Sequence, residues 1–322
     1  MKTEPRSQAP AHVNHHSRSE SRPRRRWSRA LLAALAALLV ATTAAAQSLE
    51  REVFVSVLSK ADEPVMTLAP ADFIIREDGR LREVLRARRA TDPIDIALLV
   101  DTSQALGRQV ADVRSALESF IAKMAGQADI AIISLGDRPT IFTDYTRDAA
   151  RLKDGVGKVF PITGAGAYVL EGIKEALTGL GKRKPERSAI VIVWAGGIEF
   201  SNASYEPLLT KLEESRAALH VMTVGTSMPA DAMATEGRNR EIVFDRGTTL
   251  SGGRRQNVLS SMGLTGAMDK LAAELLGQYR VTYARPESLI PPQKIDVGVR
   301  PVGLTVGATP ILVKSPAKSP AK

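Results

Sequence analysis

Four short runs of this chain are apolar at nearly every position: Ile94–Val100, 128–135, 189–195 and 218–224. A strand with one buried face alternates apolar and polar residues, so unbroken runs of this length belong to strands covered on both faces, as in a parallel sheet with helices above and below. The segments between the runs carry the helical period. Val110, Val113, Leu117, Phe120 and Met124 step by three and four, as do Val169, Ile173, Leu177 and Leu180, and later Leu264, Met268, Leu271 and Leu275. Helices are therefore expected from about Gly107 to Met124, after the loop 160–166, and after Ser204, which stands as an N-cap with Pro207 in the first turn. Strand and helix in repeated alternation predict an α/β, doubly wound and mostly parallel sheet flanked by helices.

In such a sheet a site forms beyond the carboxyl ends of the strands. The run Ile94–Val100 ends in Asp101-Thr102-Ser103-Gln104, an acidic and hydroxyl-rich turn, which makes that turn the first candidate. Residues 140–143 fit an antiparallel edge strand and 149–156 a short helix. From Thr226 to Ser260 the periodicity lapses, and so long a connection is expected to be a functional loop or partly disordered.

Both ends of the chain differ from this core. Residues 50–90 read as strands, with Asp78-Gly79 as a hairpin turn, and 279–283 and 295–299 as two more. Before them, Arg22, Arg24, Arg25, Arg26 and Arg29 precede an uncharged apolar stretch that closes on Ala44-Ala45-Ala46. That is the layout of an export signal cleaved after Ala46, with an uncleaved anchor as the alternative. The formal charge of the whole chain is +9, but residues 1–46 hold eight Lys/Arg and two acids, so 36 basic and 33 acidic side chains remain, a net +3. A body so near neutrality lacks the field that neutralises phosphates, which argues against nucleic acid. There is no cysteine, so stability rests on packing alone. Beyond residue 46 the one histidine is His220, inside an apolar run and expected to be a satisfied core residue. Ser-His-Asp, Cys-His and His-ligated zinc chemistry then lack parts, and an enzyme is not expected.

The turn Asp101-Thr102-Ser103, read with the strands around it, resembles the metal-binding turn of von Willebrand factor type A domains, and Asp72-Phe73 followed by Glu77-Asp78-Gly79 resembles the small β-module preceding that domain in a bacterial exported subfamily. The resemblance implies a Rossmann-like type A domain over 92–277. It also implies a small all-β module made from both ends, 47–91 and 278–314, with a disordered tail at 315–322. Such domains typically hold Mg²⁺ with an Asp-x-Ser-x-Ser turn, a Thr on a second loop and an Asp on a third. Here Asp101 and Ser103 match, but Ala105 replaces the second serine. The second loop reads Ala165-Gly166-Ala167, leaving Thr163 as the nearby hydroxyl, and the third reads Ala195-Gly196-Gly197.

Asp101 and Ser103 are then either the remnant of a metal site or simply caps of the helix that follows. Thr102, Gln104, Thr163, Trp194 and Glu199 are candidates for a binding rim, although Glu199 reads equally as a solvated acid and Trp194 as core. The resemblance implies an exported, periplasmic or extracellular, non-enzymatic protein-binding or scaffolding module with no cofactor. The alternative is an adhesion or sensor module dependent on Mg²⁺ or Mn²⁺ at an altered site. The partner expected is a protein, with no nucleic acid, and a membrane only if the leading segment stays uncleaved.

Overall fold

The computed structural model describes residues 48–225, 230–286, 292 and 294–310. The expected export segment with its cleavage point, residues 311–314 and the tail 315–322 lie outside the described residues. From Ser48 on, these residues belong to one compact unit.

Strand β1 (Ser48–Leu58) opens the chain and is followed by β2 (Phe73–Glu77), β3 (Arg80–Arg82) and β4 (Val84–Arg89). Asp78 and Gly79 join β2 to β3 with φ of 47° and 78°, the two positive values that a tight hairpin turn with the twist of its strands requires. Strand β5 (Ile94–Val100) is buried at all its positions. A 3₁₀ segment, Gln104–Gln109, then intervenes with a break at Gly107, so helix α1 (Val110–Met124) starts where its apolar spacing begins rather than at the expected Gly107. Strands β6 (Ala128–Ser134) and β7 (Thr140–Thr146) pair antiparallel, with β7 at the sheet's edge.

Helix α2 (Ala149–Gly157) is capped by Asp148, whose carboxylate accepts from Ala150 and Arg151 N–H. After it come α3 (Val169–Arg183), β8 (Arg187–Trp194), α4 (Tyr205–Glu214) and β9 (Ala217–Val224). Ser204 does occupy the N-cap position of α4, but its side chain makes no capping bond.

The stretch 226–260 departs most from expectation. It contains α5 (Thr235–Ile242), a π-helical turn (Val243–Gly247), α6 (Thr248–Ser251) and β10 (Arg255–Val258), a parallel neighbour of β9. Helix α5 buries only Gly237 and Arg240, so it has no apolar stripe to read. Last come α7 (Leu264–Leu276), β11 (Tyr279–Pro286), β12 (Ile295–Val299) and β13 (Thr305–Pro310). Strand β13 was not expected: Gly307 and Pro310 lower its β-propensity, and pairing with β1 outweighs that.

Three sheets result. The central one has six strands in the order β10-β9-β8-β5-β6-β7, all parallel except β7. One face packs on α1 and α7, with Leu117, Phe120, Met268 and Leu271 against Ile96, Leu98 and Val191. The other carries α3 and α4, with Ile173, Leu177 and Leu209 against Leu99, Ile190 and Ile192. Full burial of each such side chain contributes about 1.5–3 kcal/mol.

A four-stranded sheet, β13-β1-β11-β4, and a three-stranded one, β12-β2-β3, share a second core around Val55, Phe73, Tyr279 and Val281. Where this part meets the central sheet the contacts are polar. Arg254 reaches Asp62 (2.7 Å) and Glu274 (2.8 Å), Gln278 Nε2 donates to Ser56 Oγ (3.1 Å), and Thr309 Oγ1 donates to Ser251 O (2.8 Å). His220 lies in β9, fully buried and near Arg254, but it is not the satisfied residue expected, since neither ring nitrogen has a hydrogen-bond partner among the described residues. Burial, and then the Arg254 charge, push its pKa down to about 3 and keep the ring neutral.

Candidate functional site

The chain runs from β5 to β6 on one side and later lays β8 on the other, so the strand order reverses at the carboxyl ends of β5 and β8 and a crevice opens there. Asp101 stands at its base, 1% exposed. Its Oδ1 accepts the N–H of Ser103 (2.9 Å), and its Oδ2 accepts those of Ala195 and Gly197 (both 3.0 Å). Both carboxylate oxygens are thus taken by backbone donors, two of them from the loop after β8. Gly196, with φ of 95°, turns that loop inward. A Cβ on Gly197 would lie 2.9 Å from Asp101 Oδ2 and would also collide with Ser103 Oγ, so glycine is what lets the backbone come so close.

Ser103 Oγ accepts from Ala105 N–H (3.3 Å) at the head of the 3₁₀ segment. Gln104 is exposed, and its Oε1 accepts Gly164 N–H (3.0 Å), strapping the first loop to the second. Thr163 is exposed at the tip of that second loop and does not line the crevice. Two candidates for the rim lie elsewhere. Thr102 is fully buried, with Oγ1 2.5 Å from Ser134 Oγ and accepting Gly136 N–H (2.9 Å); its side chain points back into the sheet and ties β5 to β6. Trp194 is 2% exposed, donates from Nε1 to Gly197 O (3.2 Å) and packs edge-on against Phe244, so it supports the loop from beneath.

Glu199 is neither solvated nor on the rim, being 2% exposed. Its Oε1 accepts the N–H groups of Val169 (3.0 Å) and Ser201 (3.2 Å), while Ser201 Oγ accepts those of Leu170 (3.2 Å) and Glu171 (3.4 Å). Helix α3 has no capping side chain of its own, since Tyr168 at its N-cap makes none of these bonds. Glu199 and Ser201 satisfy its orphan donors from thirty residues away in sequence. Burial pushes the Glu199 carboxyl up to about 7, against the opposing pull of Ser201 and Arg240, and its Oε2 has no partner among the described residues.

The segment 198–201 is extended, and its alternation runs opposite to the usual sense: Glu199 and Ser201 face inward, while Ile198 and Phe200 are 43% and 48% exposed. The pattern is visible in the sequence, but a hydrophobic reading assigns the two faces the wrong way round. Ile198, Phe200, Ser103, Ala105, Gly166 and Gly197 line an open groove of about 370 Å³. Phe160 and Ile162, on the loop before α3, are also exposed, at 56% and 41%. Among the described residues no group of three or more His, Asp or Glu side chains is placed to hold a metal ion, and no helix is long and apolar enough to cross a membrane.

Residues 96–198, from β5 to this groove loop, match the family model of the von Willebrand factor type A domain. No curated protein matches the chain. Among solved structures, the vWF domain of the type V pili tip protein Mfa5 from Porphyromonas gingivalis is similar at 13% identity, covering 58% of this chain and 96% of that one, with a TM-score of 0.42. The conserved hypothetical protein BatB from Bacteroides thetaiotaomicron is similar at 15% identity over 56% of this chain and 97% of that one, TM-score 0.43. A von Willebrand factor type A protein from Catenulispora acidiphila is similar at 10% over 82% and 74%, TM-score 0.46. The matched span holds the central strands and the loops that build the groove, so over residues 96–198 the chain is similar to the von Willebrand factor type A domain.

Proposed function

We propose that this chain is an exported, non-enzymatic protein-binding or scaffolding unit whose groove takes a protein partner without a metal ion. Type A domains commonly mediate protein–protein interaction. The observation that carries the metal-free part is the state of Asp101. A divalent ion needs oxygen ligands with free lone pairs, and Mg²⁺ needs them in nearly complete octahedral order. Asp101 already accepts three backbone N–H groups, Ala105 and Ala167 bring no oxygen in their side chains, and the Gly197 backbone crowds Asp101 Oδ2 and Ser103 Oγ. These residues do not fit a resident Mg²⁺ or Mn²⁺. The exposed apolar side chains Ile198, Phe200, Phe160 and Ile162 suit a partner bound by burial of apolar surface.

Inventory supports the non-enzymatic part, because His220 is buried in a strand and no other histidine follows residue 46. Export rests on the arginine-rich and apolar sequence before Gln47.

Two measurements test this reading. Titrating Mg²⁺ or Mn²⁺ into chelator-treated protein should leave the melting temperature unchanged at sub-millimolar metal, whereas a resident ion at a hundred times its Kd would add about 2.7 kcal/mol. A clear rise would overturn the metal-free reading. Affinity capture from the exported fraction, in chelator, should retain a protein on the unaltered bait and lose it on Ile198→Ser/Phe200→Ser. Equal capture by both baits would remove the groove from the function.

A further inference from the structure

The loop bearing Ile198 and Phe200 is gripped from behind on both sides of Ile198. On one side Trp194 Nε1 donates to Gly197 O (3.2 Å), and on the other Asp231 Oδ2 accepts the N–H of Glu199 (2.6 Å). Both gripping groups rest on Arg240 of α5. Its Nη1 is 2.6 Å from Asp231 Oδ2 and its Nη2 is 3.2 Å from Asp231 Oδ1, while its guanidinium lies 4.2 Å from the centroid of the Trp194 ring. A further contact from Nη2 to Glu241 Oε1 (3.1 Å) fixes the fork.

The Arg240 side chain is 0% exposed and that of Asp231 4%. Burial alone would raise the Asp231 carboxyl, but Arg240 and the Glu199 N–H outweigh it and hold the pKa below its ordinary value, so the pair is ionised. A buried ion pair is a poor source of stability. Desolvating both charges offsets most of their attraction, and apolar residues of similar volume commonly do as well or better. Geometry is what apolar residues could not supply, since a guanidinium fork and a carboxylate fix direction and an aliphatic chain does not.

We propose that Arg240 and Asp231 are the positioning residues of the binding rim, fixing the backbone on either side of Ile198 and so setting how Ile198 and Phe200 leave the surface. This rests on the metal-free reading of the groove, because it gives a side-chain pair the task of ordering the loop that a coordinated ion would otherwise perform.

The test uses the full chain with Trp27→Phe, so that Trp194 is the single emitter. Arg240→Met/Asp231→Leu is compared with Arg240→Lys by thermal melt, by amide exchange and by acrylamide quenching of Trp194. In the double variant we expect a melt close to that of the parent. The Glu199 and Phe200 amides should exchange at least tenfold faster while Leu98 and Leu99 in β5 stay unchanged, and Trp194 should quench more readily. Arg240→Lys keeps the charge without the fork and should fall between the two. Rim amides exchanging at the parent's rate in a folded double variant would overturn the proposal. So would rim and core amides accelerating together in both variants, which would make the pair a global contributor only. If the double variant does not fold, Arg240→Lys decides by the same ratio of rim to core exchange. Failure of the metal-free reading looks different: it appears as a metal-dependent melt of the unaltered chain, whatever these exchange rates are.

Discussion

Asp101 and His220 are both polar side chains buried in the same sheet, and they are accommodated in opposite ways. Asp101, at the carboxyl edge, takes three backbone N–H donors from two loops. His220, in the body of β9 near the polar seam around Arg254, has no partner for either nitrogen. The first arrangement converts a charge into architecture, because removing it would strand the donors it satisfies. The second is a tolerated cost, carried by a neutral ring that would have to be charged in acid. The rim is therefore expected to be sensitive to substitution, and the seam to pH.

The largest expected effect sharpens the rim side. Asp101→Ala orphans three N–H groups, each costing about 1–3 kcal/mol when buried, so a loss of roughly 3–9 kcal/mol should appear in urea denaturation. A loss under about 1 kcal/mol would mean that water replaces the carboxylate and that the two regions do not differ as described.

The next tests the seam. The folded-state pKa of His220 is lowered from 6.5 to about 3, so the unfolded chain takes up the proton first as pH falls. Its contribution is fully present above pH 6.5 and is lost as pH falls from there towards 3, in total on the order of 5 kcal/mol. His220→Leu should flatten the acid limb of stability measured between pH 7.5 and 4. An unchanged acid limb would assign acid sensitivity to the carboxylates instead.

A smaller effect crosses the comparison, since Glu199 is buried beneath the rim and shares the seam's defect, an Oε2 without a partner among the described residues. Its pKa is raised from 4.5 to about 7, so its contribution is fully present below pH 4.5 and is lost as pH rises through 7. Glu199→Gln should resemble the parent at pH 4.5 and exceed it at pH 8 by on the order of 3 kcal/mol. Parallel stability curves for the two proteins would show that Glu199 is ionised at no cost.

These three residues also mark how far the sequence could be read. The strands around Asp101 were legible because covering both faces leaves an unbroken apolar run, and helices α1, α3 and α7 because one buried stripe repeats every three to four residues. The apolar strand around His220 was legible for the same reason, but not the ring's lack of a partner or its place near Arg254, which depend on packing between segments distant in sequence. Helix α5 was hidden because its fully buried side chain is an arginine. Glu199 was misjudged, and Ser201 passed over, because their donors belong to a helix start thirty residues earlier, a contact that no local pattern encodes. The acidic, hydroxyl-rich turn at Asp101 was legible, yet which partners its oxygens take is decided by the Gly196-Gly197 backbone.

The arrangement of β1 and β13 bears on mechanics. They run antiparallel over six residue pairs, from Leu58↔Thr305 to Val53↔Pro310, so Ser48 and Pro310 lie toward the same end of the ladder. A load applied between those two points would open the ladder one hydrogen bond at a time, as a zip opens, rather than shear all of its bonds at once. Thr309 Oγ1 also donates to Ser251 O, so opening that ladder would pull through β13 on the segment that leads into the six-stranded sheet.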